Sequence, residues 1–212
     1  MRQFPFAWRW ALAGLIAVVA LAAALWPRAR DTDTHADSGQ QARSSAGVSE
    51  QQRAAADLTA CPRPVSGATG SGPLAGIPVS CLADGGPVDL AAALAGKPAL
   101  LNLWAYWCGP CAQELPYLQQ FARRAGNAIT VLTVHSDPDE AKAISRLRGL
   151  NVKLPGVLDA DARVRAAVGA PAVLPISVLL RADGSVAQVE VRAFTGVDDI
   201  ADTVAQELGV AA

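Results

Sequence analysis

An α/β sandwich on a mixed sheet is the fold class this chain predicts, and three features of its sequence predict it. Pro98 to Trp104 is a run of strand length, apolar but for Asn102, the pattern of a central parallel strand covered on both faces. Strand-like and helix-like segments alternate on either side of it, which makes the neighbouring strands parallel. Ile176 to Leu180 and Val186 to Val191 flank Asp183-Gly184, a hairpin signal that adds antiparallel strands. The 212 residues suffice for one core of this kind with the N-terminal region set aside. A net charge of −1 without any basic stripe gives no reason to expect nucleic acid as a partner.

Taken in order, residues 1–9 read as a cytoplasmic N-terminus. Arg2 and Arg9 precede an apolar stretch of spanning length, Trp10 to Trp26, with Trp8, Trp10 and Trp26 placed as interfacial aromatics. A single transmembrane helix over 10–26 is therefore expected. A cleaved signal peptide is the competing reading, but no convincing cleavage site follows Ala11 to Leu25. Residues 27–60 are rich in Asp, Thr, Ser, Gln, Arg and Ala and carry few large apolar side chains. They read as a flexible linker that buries too little to offset its ordering entropy, with at most a transient turn over Arg53 to Leu58. The domain expected outside the cytoplasm runs from 61 to 212.

Cys61 and Cys81 bracket a stretch of Pro, Gly and Ser without periodicity. A disulfide between them is the economical reading, since closing such a loop stabilises by about 3 kcal/mol in the chain-entropy model, and the bond persists only outside the cytoplasm. The rival is a second redox pair that relays to another. Asp84-Gly85-Gly86 then signals a hairpin between Val79 and Val88, followed by a short helix over Ala91 to Ala95. After the central strand comes a helix to about Ala125, then a strand from Ile129 to Val134. Asp137-Pro138-Asp139-Glu140 supplies a helix start for Ile144, Leu147 and Leu150. A shorter helix over Ala162 to Val168, the hairpin, and a closing helix marked by Ile200, Val204 and Leu208 complete the chain.

The chemistry concentrates in Trp107-Cys108-Gly109-Pro110-Cys111. Cys111, Leu115, Leu118 and Ala122 share one helical face, and Pro110 suits a first turn, so Cys108 falls at a helix N-terminus. Free amides there stabilise a thiolate, which makes Cys108 the nucleophile and leaves the shielded Cys111 as the resolving thiol. Half a zinc site has the same spacing, but Cys61, Cys81 and two histidines provide no second close pair. No metal and no cofactor is expected. Glu114, one turn beyond Cys111, is placed to take the proton that the resolving thiol must lose; a solvated surface carboxylate is the alternative. Tyr106 and Trp107 flank the nucleophile as an apolar contact surface. His135, at a strand end, reads as an ordinary loop histidine and is left out of the site.

Trp-Cys-Gly-Pro-Cys after a buried strand resembles the thioredoxin superfamily, and more closely its membrane-anchored TlpA/ResA/CcmG-like branch. Asn102 stands where cytoplasmic thioredoxins carry a buried Asp, while Glu114-Leu115-Pro116 is similar to the branch's Cys-X-X-Glu-X-Pro pattern. Val157 to Gly169 and Leu174 to Gly184 look like the stretch leading to the family's cis-proline. The resemblance covers about 76–209 and implies a thioredoxin-like mixed-sheet sandwich with an N-terminal β-hairpin. It implies that Pro175 is cis beside the redox pair and that the backbone of Leu174 pairs with an extended substrate. Ile176 departs from the Thr that relatives commonly carry, which makes the groove more apolar.

Gly-Pro between the cysteines is the thioredoxin dipeptide, associated with a potential of about −270 mV against about −120 mV for the strong oxidant DsbA. A reductase of disulfides in exported proteins follows, with a CcdA- or DsbD-like membrane donor and apocytochrome c among the clients that the resemblance implies. The alternatives are a general disulfide oxidase or isomerase, a copper-handling module of the Sco kind, and a silent interaction module.

Overall fold

The computed structural model describes residues 47–211 apart from 66 and 68. The expected N-terminus (1–9), anchor (10–26) and most of the linker lie outside the described residues; among the described ones, no helix is long and apolar enough to cross a membrane.

Seven strands form one sheet: β1 Pro78–Cys81, β2 Pro87–Asp89, β3 Ala99–Trp104, β4 Thr130–His135, β5 Gly156–Leu158, β6 Ile176–Leu180 and β7 Val186–Glu190. Their spatial order is β2-β1-β5-β4-β3-β6-β7. The three central strands β5, β4 and β3 run parallel, and antiparallel hairpins extend both edges. This is the mixed sheet anticipated above. All six β3 residues are buried, the polar Asn102 among them, as expected of a central strand covered on both faces.

Among the described residues, six helices cover the sheet: α1 Glu50–Ala56, α2 Leu90–Leu94, α3 Gly109–Ala125, α4 Glu140–Gly149, α5 Arg163–Ala167 and α6 Val197–Leu208. Alternate β3 residues face two cores. Leu100 and Trp104 pack with side chains of α1, α3, α4 and α6, including Leu115, Phe121, Ile144 and Val204. Leu101 and Leu103 pack with Leu90, Leu94, Val164 and Val178 on the α2 and α5 side.

Two local expectations are corrected and one unforeseen strand is added. The end of the linker is not a free chain: α1 is closed by a capping box, Ser49 Oγ accepting from the Gln52 N–H and Gln52 Oε1 from the Ser49 N–H. Arg53 holds α1 to α4 through a two-pronged ion pair with Glu140 (2.7 and 2.9 Å) and donates to the Leu82 carbonyl. The side chains of the pair are only 13% and 16% exposed, so tertiary pairing supplies what the local sequence lacked. The second is α4, which starts two residues later than Asp137-Pro138 suggests. Asp139 is its N-cap and accepts from the Lys142 N–H, while Asp137 accepts from the Asp139 N–H. Lastly, β5, with three residues, was too short to show a period. It fits beside β4 only because position 156 is glycine: a Cβ there would lie 2.6 Å from Thr133 Oγ1 and 3.0 Å from Leu82 Cδ1.

Candidate active site

The site sits where β3 leaves the sheet. Cys108 is the N-cap of α3 with extended φ and ψ, and its Sγ accepts from the Cys111 N–H at 3.2 Å. Its own N–H donates to the Ala105 carbonyl at 3.0 Å, which tightens the turn out of β3. Cys108 and Cys111 are joined by a disulfide. Gly109 and Pro110 are exposed between them, Cys108 is 5% exposed and Cys111 fully buried. Of the two sulfurs, the outer one sits at the helix end, where backbone amides and the dipole favour negative charge.

Glu114 follows Cys111 by three residues on the same buried face of α3. It is fully buried rather than a solvated surface carboxylate. One oxygen accepts from the Phe194 N–H at 2.8 Å and the other from Asn102 Nδ2. Asn102 Nδ2 also reaches Ser177 Oγ at 3.3 Å, and Asn102 Oδ1 has no donor. Burial pushes the Glu114 carboxyl up to about 7 against the pull of these two donors and of Arg192. A buried carboxyl that titrates near neutrality beside a thiol can both take and return a proton. The Asn102, Ser177 and Phe194 partners were not foreseen, because each meets Glu114 only through tertiary packing.

The Leu174–Pro175 peptide bond is cis. Ile176 pairs with Leu103, so Pro175 lies one residue further on, at the end of β3 that leads into Cys108. Pro175 is buried and Leu174 half-buried. Trp107 is 58% exposed, and its indole Nε1 donates to Asp137 Oδ2 at 3.0 Å. Val173 is also exposed, so apolar surface flanks the corner on both sides.

Cys61 and Cys81 are also joined by a disulfide, their Cα atoms 5.9 Å apart. It belongs to the α2 and α5 core, whereas Cys108 and Cys111 belong to the other. His135, set aside above, is fully buried and accepts from the Tyr106 N–H through Nε2 at 3.2 Å.

A parallel β-core with a cysteine pair at the head of α3 and a cis-proline at the same end of the sheet defines a class, the thioredoxin superfamily. Within it, the chain belongs to the Redoxin family, whose model matches residues 70–206. Thiol-disulfide oxidoreductase ResA of Bacillus subtilis (strain 168) is 30% identical over 97 residues, 45% of this chain and 54% of that protein. The chain thus spans about half the length of the curated relatives it matches. Among solved structures, a secreted Mycobacterium tuberculosis disulfide oxidoreductase homologous to E. coli DsbE is 31% identical with a TM-score of 0.52, covering 61% of this chain and 94% of that one. The exposed lipoprotein thioredoxin Etrx1 of Streptococcus pneumoniae is 26% identical with a TM-score of 0.53, covering 61% and 97%.

Proposed function

We propose that this protein is a thiol–disulfide oxidoreductase working as a reductase of disulfides in exported proteins. The observation that carries the reading is the pairing of Cys108 at the α3 N-cap with a buried Cys111 and a buried Glu114 one turn further in. In the reduced protein the Cys108 thiolate attacks a client disulfide. A Cys108–client S–S bond forms, the client S–S bond breaks, and the first client sulfur leaves as a thiolate that takes up a proton. Cys111 then gives its proton to Glu114 and attacks Cys108 Sγ. The Cys108–Cys111 disulfide forms, the second client sulfur leaves and is protonated, and the client has gained the two electrons that the protein has lost. The cis Leu174–Pro175 segment offers its backbone to an extended client, and Trp107 packs beside it.

The finer reading is a catalytic domain on the outer side of the membrane, held by an anchor at 10–26, recharged by a CcdA- or DsbD-like membrane donor and acting on clients that include apocytochrome c. It draws support from the Cys61–Cys81 disulfide, which persists only in an oxidising compartment. The structural neighbour from Mycobacterium tuberculosis, a secreted protein, points to the same side of the membrane.

Turnover of a protein disulfide by the purified full-length chain, driven by dithiothreitol, tests the chemistry. Cys108→Ser is expected to abolish turnover, and Cys111→Ser to accumulate a mixed disulfide through Cys108. Retained turnover in Cys108→Ser, or no covalent adduct in Cys111→Ser, would sink the assignment. Adducts captured with Cys111→Ala in living cells would then identify the clients.

A further inference from the structure

His135 stands where two strands and the catalytic corner meet. It closes β4, pairs in register with Trp104 at the end of β3, and is fully buried. Its ring lies edge-on to Trp104 with centroids 4.8 Å apart, and 6.0 Å from the Tyr106 ring. Nε2 accepts from the Tyr106 backbone N–H at 3.2 Å. Tyr106 is held at its other end too: Arg146 Nε donates to its carbonyl at 2.9 Å, and Lys142 Nζ lies 4.8 Å over its ring. Side chains from β4 and α4 thus grip both backbone polar groups of the residue two positions before Cys108.

A half-buried backbone N–H needs an acceptor, and no other is present for Tyr106 among its described contacts. Nε2 accepts only without a proton, which makes the ring the Nδ1–H tautomer. Burial keeps it neutral, pushing its pKa down to about 4 against the acidic side chains of Asp137, Asp139 and Glu140 nearby.

We propose that His135 is a positioning residue for the nucleophile: its unprotonated Nε2 fixes the Tyr106 peptide and so holds Cys108 at the N-cap of α3. The inference rests on the reading of Cys108 as the attacking thiol. Without the acceptor, the Tyr106 peptide turns towards another partner and carries Cys108 off the helix end. The thiolate then loses stabilisation, the Cys108 thiol becomes harder to ionise, and exchange with a small thiol shifts towards the protein disulfide.

The test compares the full-length protein with His135→Leu, which fills similar space without an acceptor, and His135→Gln, whose amide oxygen reaches the Nε2 position. Two quantities are read: the pH dependence of Cys108 alkylation in the reduced protein and the exchange constant with glutathione. His135→Leu is expected to shift both towards the less reactive thiol, the constant by about fivefold, the size of a helix-end interaction, with His135→Gln within about twofold of the parent. Leu behaving like the parent, or Gln displaced as far as Leu, overturns the proposal. Should the Leu variant fail to fold, nitrogen NMR of the unsubstituted protein decides. An unprotonated Nε2 with a protected Tyr106 amide supports the proposal, and an Nε2–H tautomer overturns it. A parent protein unable to turn over disulfides removes the underlying reading and this one together; an active parent with unshifted variants removes His135 alone.

Discussion

Cys61–Cys81 joins residues 20 apart in sequence and packs with Leu101 and Leu103 on one face of the sheet, whereas Cys108–Cys111 joins residues three apart and packs with Leu115 and Phe121 on the other. Cys81 pairs with Val157, Val157 with Val134 and Val134 with Leu103. The first disulfide therefore starts three strands from β3, about 14 Å across the sheet at the usual strand spacing. Among the described residues neither of its cysteines caps a helix, whereas Cys108 is the N-cap of α3 and Glu114 lies one turn beyond Cys111. On the proposed function the first bond is a brace and the second a tool, and neither the cysteine count nor the bond itself distinguishes the two.

The sharpest way to break this contrast is to remove the brace. Cys61→Ser with Cys81→Ser is expected to cost about 3 kcal/mol by the loop-entropy estimate, or about 10 °C in Tm for a domain of this size, while disulfide turnover continues. A double variant that melts like the parent but has lost turnover would make the pair a relay.

Glu114→Gln sharpens the other half. The amide oxygen still accepts from the Phe194 N–H, but the group no longer takes a proton from Cys111. Release of the client from the mixed disulfide is expected to slow about 100-fold, with its formation changed little. Stopped-flow measurement of the two steps decides, since equal slowing of both, or of neither, takes Glu114 out of the chemistry.

The smallest effect is a pair of opposed pH slopes on the redox face. Glu114 is raised to about 7 from an ordinary 4.5, so the folded protein holds a proton that the unfolded chain has released. Its contribution is full below 4.5 and is lost as pH rises through 7. His135 is lowered to about 4 from 6.5, so its contribution is full above 6.5 and is lost as pH falls through 4. Between about 4.5 and 6.5 the two offset each other. Urea unfolding of the oxidised protein across that window is expected to show stability rising with pH in Glu114→Gln and falling with pH in His135→Gln. Asp159, also raised by burial, adds a falling component common to both. Identical slopes in the two variants would contradict the assignment.

The Cys108 corner was legible because its determinants are local: a mostly apolar strand, a capping residue, a proline in the first turn and a periodic helix lie within the 27 residues from Ala99 to Ala125. Both hairpins announced themselves through Asp-Gly turns at positions 84–85 and 183–184. What stayed hidden is held by distant partners. Glu114 meets Phe194 80 residues away, His135 reaches a backbone N–H 29 residues away, and Arg53 finds Glu140 87 residues away. No window of sequence contains such pairs. The Ser49–Gln52 capping box, by contrast, was readable, but a helix of seven residues is marginal without the docking that only the fold supplies.

That docked helix also sets where the protein can be cut. A fragment begun at Cys61 would retain both disulfides and every strand, yet it would leave the Glu140 carboxylate, 16% exposed, without its guanidinium, and the Leu82 carbonyl without its donor. Losing one member of a largely buried ion pair costs more than the pair contributed, because the remaining charge keeps its desolvation penalty. A piece that keeps this ion pair and the capping box therefore begins no later than Ser49, and the dozen residues from there are foundation rather than tether.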